Sequence, residues 1–222
     1  TKWLLKLFLG GIVFIFTMLL FSGLGFFGKL PSFEELENPE NNLATEIISS
    51  DGKTLGKFYR ENRTPVKYRE LPPDLVKALI ATEDERFYDH SGIDPRGTAR
   101  AIVALGAKGG ASTITQQLAK MLFTKTASSN IFMRLIQKSK EWVIAAQLER
   151  HYTKEEIITM YLNKYDFGHN AVGIRSASRI YFGKEPIDLK IEEAAVLVGM
   201  CKNSSLYNPI RRPEMVTDRR NT

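Results

Sequence analysis

From Leu7 to Gly28 no side chain carries a charge, and the run opens Leu-Phe-Leu-Gly-Gly-Ile-Val-Phe-Ile-Phe-Thr-Met-Leu-Leu-Phe. Roughly twenty consecutive apolar residues carry a helix across the hydrocarbon core of a bilayer. Residues 1–28 are therefore predicted to form one transmembrane helix. A cleavable signal peptide would have a shorter apolar core, about 7 to 15 residues, and a small-x-small cleavage site, which does not follow here. Lys2 and Lys6 precede the run, Glu34, Glu35, Glu37 and Glu40 follow it, and a basic flank favours the cytoplasmic side. The expectation is a single-pass protein with a cytoplasmic N-terminus and the rest of the chain outside the cytoplasm. ATP-dependent chemistry is not expected there, and the sequence has no Walker or Rossmann glycine pattern.

A formal net charge of +6 points to an anionic partner. Nucleic acid, anionic lipid headgroups and a phosphorylated substrate all remain open on charge alone, though the sequence shows no zinc-finger spacing or RNA-binding aromatic signature that would mark a nucleic-acid partner. The single cysteine, Cys201, excludes an internal disulfide framework and a cysteine-based zinc site. His90, His151 and His169 form no HExxH or close-spaced pair, which argues against a transition-metal centre.

Residues 29–70 read as a linker with a β-hairpin, and 71–222 as a mainly α-helical domain. Lys29 to Leu43 is polar and carries Pro31 and Pro39. Glu46-Ile-Ile-Ser-Ser and Lys53-Thr-Leu-Gly-Lys-Phe-Tyr flank Asp51-Gly52, the dipeptide of a type I′ turn. One helix is predicted from Pro72-Pro73-Asp74 to about Phe87, and a second from about Arg96 through Leu105. A third starts near Ile114, after Gly109-Gly110, where Thr113 and Gln116 have capping-box spacing. Met121 to Asn130 has no clear period and reads as a mobile flap. A long helix is predicted over Ile131–His151, another after a second capping box at Thr153 and Glu156, and a last, very apolar one over Ile191–Met200. Gly168, Gly173 and Gly183 punctuate the stretch between. The chain lacks an initial Met and ends without a helix stop signal, as expected of a piece of a longer protein.

Three clusters carry chemistry. In the first predicted helix Val76, Leu79, Ile80 and Phe87 fall at steps of three and four, and Glu83 lands on the same apolar stripe. An acid so placed either reaches past its neighbours to water or is used, since burial tunes a carboxylate toward general-base work. Arg134, Lys138 and Glu141 align on one helix face that continues into Ala145 and Leu148. The bland alternative is a solvated ion-pair face, but Lys138 and Lys140 also suit a phosphate. Gly109-Gly-Ala-Ser-Thr-Ile-Thr-Gln-Gln117 brings hydroxyls and free N–H groups to a helix N-terminus, an anion seat or merely a cap. Two carboxylates, several cations and an anion-receptive helix start, outside a membrane, fit transfer of a sugar from a lipid-linked pyrophosphate.

The chain resembles the peptidoglycan glycosyltransferase domain of class A penicillin-binding proteins from the hairpin to its last residues. Glu-Asp-x-x-Phe-x-x-His-x-Gly-x-Asp is complete at Glu83, Asp84, Phe87, His90, Gly92 and Asp94. Gly110-Ala-Ser-Thr-Ile-Thr-Gln-Gln117 is the second motif. The third, usually Arg-Lys-x-x-Glu, stands as Gln137-Lys138-Ser-Lys-Glu141, without the arginine. Lys154-Glu-Glu-Ile-Ile-Thr-Met-Tyr-Leu-Asn163 is similar to the fourth, and Ala194-Ala-Val-Leu-Val-Gly199 with Lys202 and Asn208-Pro209 to the fifth. Cys201 stands where relatives often carry proline.

The resemblance implies a lysozyme-like helical fold and polymerisation of lipid II. A GlcNAc 4-hydroxyl attacks the MurNAc anomeric carbon of the growing glycan strand, with inversion to a β-1,4 link and loss of undecaprenyl pyrophosphate. Glu83 is then the general base, and Glu141 the second catalytic acid, orienting cations or holding a divalent ion. The sequence requires no cofactor, and Mg²⁺ or Mn²⁺ is the option at the pyrophosphate. Lys120, Lys138 and Lys140 are expected to stabilise its charge, with Ser112, Thr113 and Gln116 as hydrogen-bond donors. Asp84, Gln117, Asn163 and Lys202 complete the expected substrate contacts. His90 and Asp94 are expected to shape the turn after Glu83, and Phe123 and Phe132 to dip toward the bilayer. The implied setting is the extracytoplasmic face of the bacterial cytoplasmic membrane. The implied partners are lipid II, the glycan strand, membrane lipids and other cell-wall synthesis proteins, with a transpeptidase domain downstream. The rivals are a membrane-anchored lysozyme-like hydrolase or lytic transglycosylase, which needs no pyrophosphate-binding lysines, and a non-catalytic scaffold.

Overall fold

The computed structural model describes residues 2–28, 30, 45–51, 54–58, 65–103, 110–124 and 128–221. The chain divides into two compact units, Thr1–Glu37 with Tyr88–Thr153 and Asn38–Phe87 with Lys154–Thr222. Residues 31–43 of the expected linker, Gly52 of the expected turn, Gly109 and residues 125–127 of the expected flap lie outside the described residues.

In the first unit the apolar N-terminal run forms helix α1 (Lys2–Gly23), and the membrane span predicted for it is not confirmed. Among the described residues no helix is long and apolar enough to cross a membrane. Lys2 and Lys6 lie inside the helix, and the uncharged run is cut at Gly23 by turns in which Gly25 and Gly28 take φ of 77° and 105°. The C-terminal end of α1 packs on a later helix, burying Met18 and Ser22.

The unit continues with α3 (Pro95–Val103), α4 (Ile114–Phe123) and α5 (Ile131–His151), the last with the bounds read from its periodicity. Ile114, Leu118, Ala119, Ile136, Ile144, Ala145 and Leu148 are its buried apolar residues, and α5 packs against both α1 and α4. Polar ties fix these contacts. The Ser22 and Ser139 hydroxyls meet at 2.6 Å, and because Ser139 donates to the Ile136 carbonyl, Ser22 is the donor between them. Thr115 donates to Glu149 at 2.6 Å. Gly92 sits at φ 87° with room for no side chain, since a Cβ there would lie 2.8 Å from the Ala145 carbonyl oxygen. Only glycine meets both demands.

The second unit opens with strands β1 (Thr45–Ile48) and β2 (Thr54–Phe58), paired antiparallel with Thr45 opposite Phe58. A register shift after Ile47 leaves Leu55 as the extra residue of a bulge. Helix α2 (Pro73–Glu83) starts with Pro73 at its first position and Asp74 in its first turn, as a helix N-terminus favours. It stops at Glu83, short of the expected end. Asp84 leaves helical geometry at φ −159° and ψ 72°, and Phe87 reaches the core from a separate 3₁₀ turn. Glu83 therefore ends the apolar stripe of Leu75, Val76 and Leu79 instead of lying within it.

Helices α6 (Lys154–Lys164), α7 (Ile174–Phe182), α8 (Ile191–Cys201) and α9 (Pro213–Arg220) complete this unit. Its core gathers Leu75, Leu79, Ile157, Tyr161, Leu162, Phe167, Ile174 and Leu197. Helix α8 packs on α2, α7 and α9. Arg175 pairs with Glu70, with Glu185 at 3.1 Å and with the Pro65 carbonyl at 3.0 Å, tying α7 to the segment before α2.

Candidate active site

Each unit carries one of the two predicted acids. In the second, Glu83 is the last residue of α2 and half-buried, and Asp84 behind it is buried. The Asp84 N–H donates to Ile80 and its carbonyl accepts from Phe87, so Asp84 shapes the helix end. Around the Glu83 carboxylate stand Tyr161 of α6, Tyr165 just after it and Cys201 at the end of α8. Burial pushes both phenols and the thiol well above their usual ranges, and the negative charge of Glu83 adds to the rise at all three. They stay protonated at neutral pH. On that side the charge of Glu83 thus faces groups that stay neutral.

Two other predicted contacts belong to this unit. Asn163 makes a reciprocal pair with Val66, accepting from its N–H and donating to its carbonyl, both at 2.9 Å, and so ties α6 to the chain before α2. Lys202 is exposed past the end of α8, with its ammonium 6.0 Å from the Tyr207 ring; the Arg219 guanidinium is 5.9 Å from the same ring.

In the first unit the sequence clusters on α4 and α5 come together. Lys138 donates to Ser112 at 2.9 Å and to Glu141 at 3.2 Å, while Thr124 reaches the other Glu141 oxygen at 3.4 Å. Glu141 is buried at 5% exposure, whereas the Lys138 side chain is 41% exposed, so the cation presents its charge outward from a fixed acid. Lys140 lies beside Gly28, and Lys120 is exposed on the last turn of α4. Arg134, aligned with this pair in sequence, is exposed on the first turn of α5.

Thr113 caps α4 by accepting from the Gln116 N–H at 3.1 Å, and its own proton goes to the Gly92 carbonyl at 2.7 Å. Its hydroxyl holds the turn of Gly92. The reciprocal half of the expected capping box is not made: the Gln116 amide, 1% exposed, has no partner at either polar atom among the described residues. Gln117 is half-buried beside it. Phe123 is half-buried, and Phe132 is exposed at the start of α5 next to Ile131, Met133 and Leu135.

One Glu141 oxygen is taken up by the Lys138 ammonium at 3.2 Å, and among the described residues no three His, Cys, Asp or Glu side chains converge. Sequence reasoning missed Thr124, because the stretch around it has no period, and Tyr165, whose only signal is its position four residues after Tyr161.

A family model described as Transglycosylase matches residues 51–222. Penicillin-binding protein 1F of Bacillus subtilis is 44% identical over 185 residues, 82% of this chain and 25% of that protein. Penicillin-binding protein 1A of Escherichia coli is 40% identical over 197 residues, 87% of this chain and 23% of that one. The crystal structure of penicillin-binding protein 1A from Haemophilus influenzae aligns with a TM-score of 0.43 at 23% identity, covering 82% of this chain and 17% of that chain. The chain spans about a quarter of the length of the curated relatives it matches. With the family model running from Asp51 to Thr222 and identities of 40% and above over most of its length, the chain belongs to the transglycosylase family of class A penicillin-binding proteins.

Proposed function

We propose that this domain polymerises lipid II into β-1,4-linked glycan, with inversion at the MurNAc anomeric carbon and release of undecaprenyl pyrophosphate. The observation that carries the reading is the placement of Glu83, half-buried at a helix end near phenols and a thiol that stay protonated. Glu83 takes the proton of the GlcNAc 4-hydroxyl as that oxygen attacks the MurNAc anomeric carbon. The bond from that carbon to the pyrophosphate oxygen breaks, and negative charge accumulates on the leaving group.

The first unit is assigned the leaving group. Lys138, held by Glu141 and Ser112, offers a fixed ammonium, with Lys120 and Lys140 as further cations. Cations fixed in advance stabilise the developing charge more than the ground state. The Gln116 amide is a further donor. Exposed Phe14, Phe16 and Leu20 on α1 and Ile131 and Phe132 on α5 give this unit apolar surface suited to a substrate with a lipid tail. That supports work at the outer face of the bacterial cytoplasmic membrane.

Glu83→Gln is expected to lower lipid II polymerisation by the factor of roughly 10² to 10⁴ that loss of a general base brings. Near-normal glycan synthesis by that variant overturns the assignment. Soluble muropeptides released from isolated cell wall, with no polymer formed from lipid II, would instead make the domain a hydrolase.

A further inference from the structure

Helix α8 ends without the usual device for satisfying its last carbonyls. No glycine follows it in left-handed geometry; Lys202 continues at φ −68° and ψ −43°. The carbonyls of Met200 and Cys201 are left open, as the last four of any helix are. Tyr165 closes them. Its hydroxyl reaches the Met200 oxygen at 2.9 Å and the Cys201 oxygen at 2.8 Å, sharing one proton between them, and it accepts from Ser204 in the next turn. Its ring is fixed by Tyr161, stacked at 5.8 Å between centroids, and by Phe167, edge-on at 4.9 Å.

This capped end is the part of α8 on which the charge of Glu83 acts, through Cys201 and the capping Tyr165. Helices α2 and α8 pack together, Glu83 is the last residue of one and Cys201 the last of the other. The titratable groups around Tyr165 are Glu83 from α2, Tyr161 from α6 and Cys201 from α8, with Ser204 as the neutral donor. We propose that Tyr165 is a positioning residue for Glu83: by capping α8 with its hydroxyl it fixes the wall against which the carboxylate is oriented. The inference rests on Glu83 acting as the base.

Tyr165→Phe keeps the ring and removes the cap. The kcat for lipid II polymerisation is expected to fall about tenfold with KM within about twofold, less than the ~10²-fold loss that a 1 Å misplacement can bring. In a Glu83→Gln background the same change is expected to cost nothing further, because a residue acting through Glu83 has nothing left to orient. A merely structural role would lower the rate equally in both backgrounds. Ser204→Ala, which leaves the phenol in place, is expected to lower kcat in the same direction by less. Hydrogen exchange reads the cap itself, with faster exchange expected from Lys202 to Tyr207 and unchanged exchange in α6. An unaltered kcat in Tyr165→Phe, or an equal loss in both backgrounds, overturns the inference. Full activity of Glu83→Gln alone would instead strike the base assignment, leaving the exchange result to report on the cap.

Discussion

Glu83 and Glu141 are the same side chain in opposite settings. Glu83 sits at the C-terminal end of its helix, where the backbone dipole repels a carboxylate, and the last turn of that helix carries no basic residue. Glu141 lies mid-helix, buried, with a lysine on one oxygen and a threonine hydroxyl on the other. On the reading proposed above, the first setting suits an acid that accepts a proton, and the second, tied on both oxygens, suits an acid that holds a cation in place.

The sharpest way to break that contrast is to neutralise each acid and measure activity and melting together. Glu83→Gln should lose most activity yet keep or slightly gain stability, by about 0.3–1 kcal/mol, because it removes a charge from the wrong end of a dipole. Glu141→Gln should lose both. Lys138 would be left with an uncharged partner, and stability is expected to fall by about 1–3 kcal/mol. Equal losses of stability in the two variants would erase the distinction.

A change aimed at stability alone tests whether the two surroundings are independent. Gly92→Ala forces a side chain into φ 87° and onto the Ala145 carbonyl, 2.8 Å away. It is expected to destabilise by about 1–3 kcal/mol, with hydrogen-exchange protection lost in α4 and α5 but kept in α6 and α8. Protection lost throughout would mean that the units do not respond separately.

The smallest effect belongs to surface acids, which serve as the control. The Lys67 N–H and Arg175 hold Glu70 below the ordinary carboxylate range, and the Lys184 ammonium and the Lys190 N–H do the same for Glu193. A carboxyl whose folded value is lowered adds stability that is fully present above its unfolded value, near the ordinary 4.5, and fades as pH falls through the folded one. Melting temperature should therefore decline slightly on acidification below that point, and less so in Glu193→Gln. An unchanged acid decline in that variant would exclude the Lys184 pair as its source.

Local signals account for what the sequence made legible. The capping threonine before Ile114 and the apolar period of α5 are short-range features, and the structure uses both. The pairing of Lys138 with Glu141 was legible for the same reason, being one turn apart on one helix. The end of α2 was not, because Phe87 keeps the apolar step of four although the chain leaves the helix at Asp84. Helix α7 hides between Gly173 and Gly183, which read as punctuation yet serve as its two caps, while Pro213 at the first position of α9 is the one local signal of that helix's start. Tyr165 escaped because its work depends on carbonyls 35 and 36 residues away, a relation that only folding creates.

The state of Cys201 also makes the domain convenient for spectroscopy. It is the chain's single cysteine, buried, with its thiol held protonated and donating to the Leu197 carbonyl. Maleimides and other thiol reagents attack the exposed thiolate, so the native protein supplies its own unlabelled blank. Tyr88→Cys and Ile191→Cys, at positions 58% and 59% exposed and one in each unit, would accept a dye pair without any background cysteine to remove. The separation between the units could then be followed optically.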